Sequence, residues 1–145
     1  TRGWVGDGID FVPQAVDEAR RRARAAGVAD RVCFHVASAT ALSFLKPVYD
    51  LVIDVGCMHS FSEEMLVDYH AELARLLRPG GLYVLFAHLR DEVEPPGEEG
   101  PRGIAEETIY ATLGDAFVLE RLERGLTQVE DRPAWHSGWF WFRKA

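Results

Sequence analysis

The sequence has 145 residues, of which 48% are hydrophobic, and 16 basic against 23 acidic side chains give a formal net charge of −7. The length and the 11% aromatic content predict one globular domain over residues 1–145 and exclude a disordered chain, and the negative charge argues against nucleic acid as a partner. With two cysteines, no apolar run of membrane-spanning length and no signal peptide, the composition excludes a disulfide framework and predicts a cytoplasmic protein with no membrane partner and no metal site.

Short apolar runs alternate with helical stretches along the chain. A strand at 4–10 precedes a helix that begins at Pro13 and is stopped by Gly27. A second helix begins at the N-cap Ser62 and is ended by the Pro-Gly-Gly segment at 79–81. Further strands are predicted at 31–37, 49–55, 82–88, 117–124 and 135–142, with a third helix at 105–114. This order predicts an α/β fold with a doubly wound, mostly parallel sheet and an antiparallel C-terminal hairpin.

Residues 91–103 are rich in Pro, Gly and Glu and are predicted to form an acidic loop. The loop follows the fourth predicted strand, where substrate lids occur. We therefore interpret it as a lid.

In doubly wound sheets ligands bind beyond the carboxyl ends of the strands, so residues there are candidates for a site. Asp10 ends the first strand, where a carboxylate can accept both hydroxyls of a ribose; the alternative is an acid favoured by a helix N-terminus. Phe11 either lies against an adenine ring or belongs to the core. Ser38 and Ala39 follow the second strand, where they meet an adenine edge or simply form a loop.

The segment after the third strand combines an acid, a cysteine and a histidine. Asp54 lies near the end of an otherwise apolar strand and therefore needs a polar partner. Cys57 and His59 follow on the loop that leaves the sheet, so His59 is a candidate proton acceptor, although a lone loop histidine is more often structural. The other four histidines are interpreted as structural, and His88, at the end of the fourth strand, is the nearest of them to the ligand edge.

Four segments carry a family resemblance: GIDFVPQA at 8–15, VASAT at 36–40, YDLVIDVGCMHS at 49–60 and LLRPGGL at 76–82. Together they resemble the motifs of Rossmann-type S-adenosylmethionine-dependent methyltransferases, and most of all a small-molecule subset near the thiopurine and tellurite-resistance enzymes. The resemblance implies S-adenosylmethionine as cofactor and a small-molecule methyl acceptor. It also implies that Asp10 contacts the ribose and that Phe11, Ser38 and Ala39 contact the adenine. The segment from Asp54 through His59 is implied to lie at the methyl edge, where Asp54 is a predicted cofactor contact. There His59 is the candidate catalytic residue, because it could take a proton from an O–H or N–H acceptor.

The family's first strand, the helix after it and its Gly-rich loop have no counterpart in these residues, which begin at Thr1 and have their first methionine at Met58. We expect an upstream segment, a strand from another chain or direct pairing of the neighbouring strands to fill that place. The alternative function is a non-catalytic, truncated methyltransferase-like fold stabilised by homodimerisation. An NAD-dependent oxidoreductase shares the strand-end acid but gives the PGG turn and the 54–59 segment no role.

Overall fold

A computed structural model describes residues 3–46, 48–90 and 103–145, so the predicted lid at 91–103 lies outside the described residues except for Gly103. The chain divides into two compact units, residues 1–42 and 43–145, and each is described by itself. The single domain over residues 1–145 stays a prediction.

Unit 1 is a βαβ element. Strand β1 (Gly6–Asp10) leads into helix α1 (Pro13–Ala25), and strand β2 (Val32–Val36) pairs with β1 in parallel. Pro13 occupies the first turn of α1 as predicted, where its missing N–H removes no helical hydrogen bond. The helix buries Val16 and Ala23 and exposes its arginines to water.

Unit 2 contains the remaining elements around a four-stranded sheet. The elements are β3 (Tyr49–Val55), a 3-10 turn (Met58–Ser60), α2 (Glu63–Leu76), β4 (Leu77–His88), α3 (Glu106–Leu113), a second 3-10 turn (Gly114–Ala116), β5 (Phe117–Thr127) and β6 (Trp135–Lys144). Strand β4 pairs in parallel with β3 and antiparallel with β6, and β6 also pairs antiparallel with β5, giving the order β3-β4-β6-β5. Helix α2 begins after the predicted N-cap Ser62, whose Oγ accepts a hydrogen bond from the backbone N–H of Met65.

The core of unit 2 lies on one face of its sheet. Alternate residues of β4 and β6 are fully buried, which is the period-2 pattern of a sheet with one covered face. Their rings stack, with Tyr83 6.1 Å from Phe142 and Phe140 6.0 Å from Phe142 between centroids. The apolar faces of α2 and α3 contribute Leu73 and Ile109 to the buried set.

The Pro-Gly-Gly segment differs from the sequence prediction. It was expected to end α2 and to precede a strand that begins at Leu82, but α2 ends at Leu76 and Leu77 already pairs with Tyr49 of β3. The register then shifts, and the next pair is Leu51 with Leu82, so the intervening residues bulge out of the ladder. Gly81 is required in this bulge because a Cβ there would lie 2.7 Å from Leu77 Cγ.

The predicted α/β fold class and the antiparallel C-terminal hairpin are confirmed. Where the sequence indicated one mostly parallel sheet, the described strands form a parallel pair in unit 1 and a mixed sheet in unit 2. Strand β6 is inserted between β4 and β5, so the last strand of the chain is internal to its sheet. Within the described ranges, no helix has the length and hydrophobicity needed to cross a membrane.

Candidate functional site

The predicted site residues lie at strand ends in both units. In unit 1, Asp10 is paired with Val36, and the backbone N–H of Ala37 donates to the carbonyl of Asp10 over 3.0 Å. Phe11, Ser38 and Ala39 follow these two strand ends directly. The four unit 1 candidates are therefore brought to the same edge of the parallel pair.

Asp10 has an open carboxylate. Its Oδ1 accepts a hydrogen bond from the backbone N–H of Val12 over 2.8 Å, which orients the side chain, and its Oδ2 accepts none from the described residues. The residue is exposed to solvent. Ribose hydroxyls are hydrogen-bond donors, and an oriented carboxylate with a free oxygen is the acceptor they need. The ribose contact predicted for Asp10 requires such an acceptor and stays a prediction.

The other unit 1 candidates differ in availability. Phe11 is 76% exposed, so it is not a core residue of the unit, and its ring face is open to a planar ligand. Ser38 uses its hydroxyl within its own turn, where Oγ lies 2.7 Å from Thr40 Oγ1 and accepts from the Thr40 backbone N–H over 3.3 Å. Ala39 is half-buried and offers only its backbone to a ligand.

In unit 2, Asp54 is buried, with 5% of its surface exposed, and its carboxylate is occupied by three donors. The backbone N–H of Cys57 donates to Oδ1 over 2.7 Å, and that of Met58 donates to Oδ2 over 3.0 Å. The hydroxyl of Tyr69 also donates to Oδ2, over 2.7 Å, and lies 2.9 Å from the hydroxyl of Tyr83. Asp54 therefore holds the loop that carries His59 in place. These three donors are the polar partners that an acid in an apolar strand was predicted to need.

Burial controls the ionisation of this group. Removal from water raises the pKa of Asp54, and its hydrogen bonds from Tyr69, Cys57 and Met58 oppose that change. Burial and the nearby carboxylate raise the pKa of Tyr69 and of Tyr83 well above their usual value, so both phenols stay protonated and can donate. Neither tyrosine was a sequence candidate, since nothing in their spacing from Asp54 indicates a contact.

His59 is buried, with 8% exposure, and has one fixed nitrogen. The backbone N–H of His88 donates to His59 Nδ1 over 3.1 Å. Because a backbone amide can only donate, Nδ1 carries no proton, and in the neutral ring the proton is on Nε2. Burial and the neighbouring His88 lower the pKa of His59 to about 4, so the ring is neutral at physiological pH.

His88 joins His59 at the carboxyl ends of β3 and β4. The two ring centroids are 4.8 Å apart, and the rings of Phe86 and Trp135 lie 5.5 Å and 5.2 Å from His88. Its Nδ1 is buried and hydrogen-bonds to no described residue, and burial lowers the pKa of the ring. Its position at a strand end was the one sequence signal for this pair.

Gly56 makes the close approach of His59 possible. Its φ of 92° lies in the left-handed region, and a Cβ there would lie 3.2 Å from His59 Cε1. The ligand roles of all six predicted residues stay predictions. The structure adds that the carboxylate of Asp10 has an oxygen free of hydrogen bonds from the described residues, whereas both oxygens of Asp54 accept hydrogen bonds.

Comparisons with known proteins identify the family. A family model described as a methyltransferase domain matches residues 3–81, which is more than half of the chain. Erythromycin 3''-O-methyltransferase of Saccharopolyspora erythraea is 29% identical over 133 residues, covering 85% of this chain and 43% of that protein. The chain thus spans less than half the length of this relative.

Solved structures agree with the fold. An S-adenosylmethionine-dependent methyltransferase from Methanosarcina mazei has a TM-score of 0.78 at 17% identity, covering 99% of this chain and 83% of that one. The N-methyltransferase NodS from Bradyrhizobium japonicum, solved with S-adenosyl-L-homocysteine, has a TM-score of 0.73 at 18% identity, with coverages of 95% and 65%. At these identities the likeness concerns the fold alone. With the family match over residues 3–81, it follows that this chain belongs to the methyltransferase domain family.

Proposed function

We propose that this chain belongs to an enzyme that transfers a methyl group from S-adenosylmethionine to a small-molecule acceptor. The observation that carries the proposal is the open carboxylate of Asp10, oriented by the backbone of Val12 and free at Oδ2 among the described residues. A methyltransferase domain needs such an acceptor for the ribose of its cofactor. When bound, the cofactor supplies a methyl group on a sulfonium, which is already activated for transfer.

The unit 1 residues have distinct roles in this proposal. Asp10 accepts hydrogen bonds from the ribose hydroxyls, and the exposed ring of Phe11 covers a face of the adenine. Ser38 and Ala39 contact the adenine edge through their backbone, because the Ser38 hydroxyl is used by Thr40.

In this proposal the unit 2 residues serve the methyl acceptor. Asp54 acts through the loop that it holds, and His59 at the end of that loop contacts the methyl acceptor. The name of the Saccharopolyspora relative describes methylation of an oxygen on a small molecule, which supports a small-molecule acceptor here. Membership of a subset near the thiopurine and tellurite-resistance enzymes is part of the same proposal, as is a protein without nucleic-acid or membrane partners.

Calorimetric titration of the chain with S-adenosyl-L-homocysteine tests the proposal. We expect micromolar binding that Asp10→Ala weakens at least tenfold, because hydrogen bonds to a charged acceptor contribute about 1.5–3 kcal/mol each. Asp17→Ala is the matched control: it removes an exposed carboxylate from α1 of the same unit and should leave the affinity unchanged.

Two outcomes would contradict the proposal. Equal losses in the Asp10→Ala and Asp17→Ala variants would remove the ribose role of Asp10. Absence of binding up to millimolar ligand, together with a dimeric mass in solution, would favour the alternative of a non-catalytic fold stabilised by homodimerisation. The mass is measured by light scattering on the same samples.

A further inference from the structure

The ligand edge of unit 2 has few groups that can take a proton. The carboxylate of Asp54 already accepts three hydrogen bonds. The Nδ1 lone pair of His59 is used by the backbone N–H of His88. The Nδ1 of His88 is buried without a partner among the described residues. Each basic site of this Asp-His-His cluster is therefore either occupied or sealed from solvent.

The remaining nitrogens of the cluster are donors. In His59, the occupied Nδ1 puts the ring proton on Nε2, which bonds to no described residue. In His88, a buried N–H without an acceptor is the rarer and costlier state, so Nδ1 keeps its lone pair and Nε2 carries the proton. Two neutral N–H donors therefore come from adjacent rings whose centroids are 4.8 Å apart.

We propose that His59 and His88 form a donor pair that binds the methyl acceptor as a preformed anion, such as a phenolate or a thiolate. That the bound anion is a methyl acceptor rests on the proposed function. The donor pair itself can be tested without the cofactor. Aromatic rings lie beside the pair, since Phe86 and Trp135 both contact His88 edge to face. A phenolate would place its oxygen on the two N–H groups and its ring against these aromatic side chains.

The pair gives His59 a different task from a general base. A base would have to offer a lone pair to the proton of the acceptor, and neither histidine has an available one. The acceptor instead loses its proton to water before it binds. Acceptors that ionise readily are selected, because only they reach the site as anions near neutral pH.

The first test uses 4-nitrophenol, whose phenolate is yellow and whose phenol is not. It is titrated into the wild-type chain below its own pKa, with absorbance and calorimetry in two buffers of different ionisation enthalpy. The donor pair predicts that the bound probe is yellow and that one proton appears in the buffer. A bound yellow probe without proton release would put the proton on a histidine and overturn the proposal. Binding of the colourless phenol, or no binding, would also overturn it.

The second test uses variants that separate donor from base. Glutamine keeps an N–H near the position of Nε2 but cannot act as a base, whereas leucine removes both functions. We expect His59→Gln and His88→Gln to bind the phenolate within about threefold of wild type, and His59→Leu and His88→Leu to lose at least tenfold. Equal losses in the Gln and Leu variants would overturn the proposal. His70→Leu, which changes a histidine on α2, is the control and should not change binding.

The third test is independent of both probe and folding of the variants. Two-bond proton–nitrogen NMR spectra of the wild-type chain assign the tautomer of each histidine. At pH 8, where both rings are neutral, His59 and His88 should carry their proton on Nε2; a proton on Nδ1 of either ring would overturn the proposal. Loss of S-adenosyl-L-homocysteine binding with an intact phenolate site would instead reject the proposed function and leave the donor pair standing.

Discussion

Two aspartates at the carboxyl ends of parallel strands have opposite environments. Among the described residues, the exposed carboxylate of Asp10 in unit 1 accepts one hydrogen bond, whereas the buried carboxylate of Asp54 in unit 2 accepts three. The first is available to a ligand, and the second orders its own loop. Position at a strand end therefore does not show whether a carboxylate is available to a ligand or holds its own loop in place. The number of hydrogen-bond donors around the carboxylate distinguishes the two cases.

The largest expected effect is on stability at Asp54. Asp54→Ala leaves two backbone N–H groups and the Tyr69 hydroxyl buried without their acceptor, and we expect it to lower the free energy of unfolding by about 3 kcal/mol or more. Asp10→Ala should cost below about 1 kcal/mol, because water replaces the lost acceptor of Val12. Urea unfolding of both variants measures the difference. Similar losses would mean that the two environments are energetically alike.

A second effect concerns pH and His59. In the unfolded chain this ring takes up a proton below about pH 6.5, but in the folded chain its pKa is about 4. Acid therefore favours the unfolded state, and stability falls as the pH falls through this window, by roughly 3 kcal/mol over the whole of it. Above pH 7 the ring is neutral in both states and contributes no pH dependence.

The measurement compares wild type with His59→Gln in urea at pH 4, 5, 6 and 7. The raised pKa of Asp54 increases stability as the pH falls toward the usual pKa of a carboxyl group, which is opposite to the effect of His59. Asp54 is present in both proteins, so the difference between their stabilities at each pH isolates the contribution of His59. A constant difference between the two curves would show that the histidine titrates normally in the folded chain.

A third effect concerns Gly56, whose missing side chain lets the His59 ring lie close to the backbone of the loop. Gly56→Ala should cost about 2 kcal/mol, from a positive φ and from a Cβ 3.2 Å from His59 Cε1. Gly27→Ala is the matched control: its φ of 68° is also left-handed, but a Cβ there has no atom within 4 Å. If the two variants lose the same stability, the His59 contact contributes nothing.

Local chemistry made much of the fold predictable. The bounds of β3 were predicted at both ends from a nearly continuous apolar run, and the starts of α1 and α2 followed from Pro13 and Ser62. The Pro-Gly-Gly segment was misassigned because a bulge and a turn need the same residues. Only the partner strand distinguishes them.

The sequence selected the candidate residues by position and gave no information on what surrounds them. Asp10, Asp54 and His59 were chosen because ligands of parallel sheets bind beyond the carboxyl ends of the strands, and each lies at or just after such an end within its own unit. Tyr69, which donates to Asp54, comes from α2, and Tyr83, which lies against the Tyr69 hydroxyl, comes from β4. The amide that fixes His59 belongs to His88. These contacts depend on how separate elements pack, which no local spacing encodes.

The smallest expected effect tests whether burial sets the contribution of the Tyr69 hydroxyl to the free energy of unfolding. Tyr69→Phe removes a 2.7 Å hydrogen bond to Asp54 but keeps the ring, and should cost about 1 kcal/mol because two backbone donors remain on the carboxylate. Tyr110→Phe removes a similar bond to Glu106 on the exposed side of α3, where water replaces the lost donor, and should be nearly neutral. Thermal unfolding of both variants at pH 7 measures this. A larger loss at Tyr110 would mean that strength follows the partner rather than its burial, and the contrast between Asp54 and Asp10 would then need another cause.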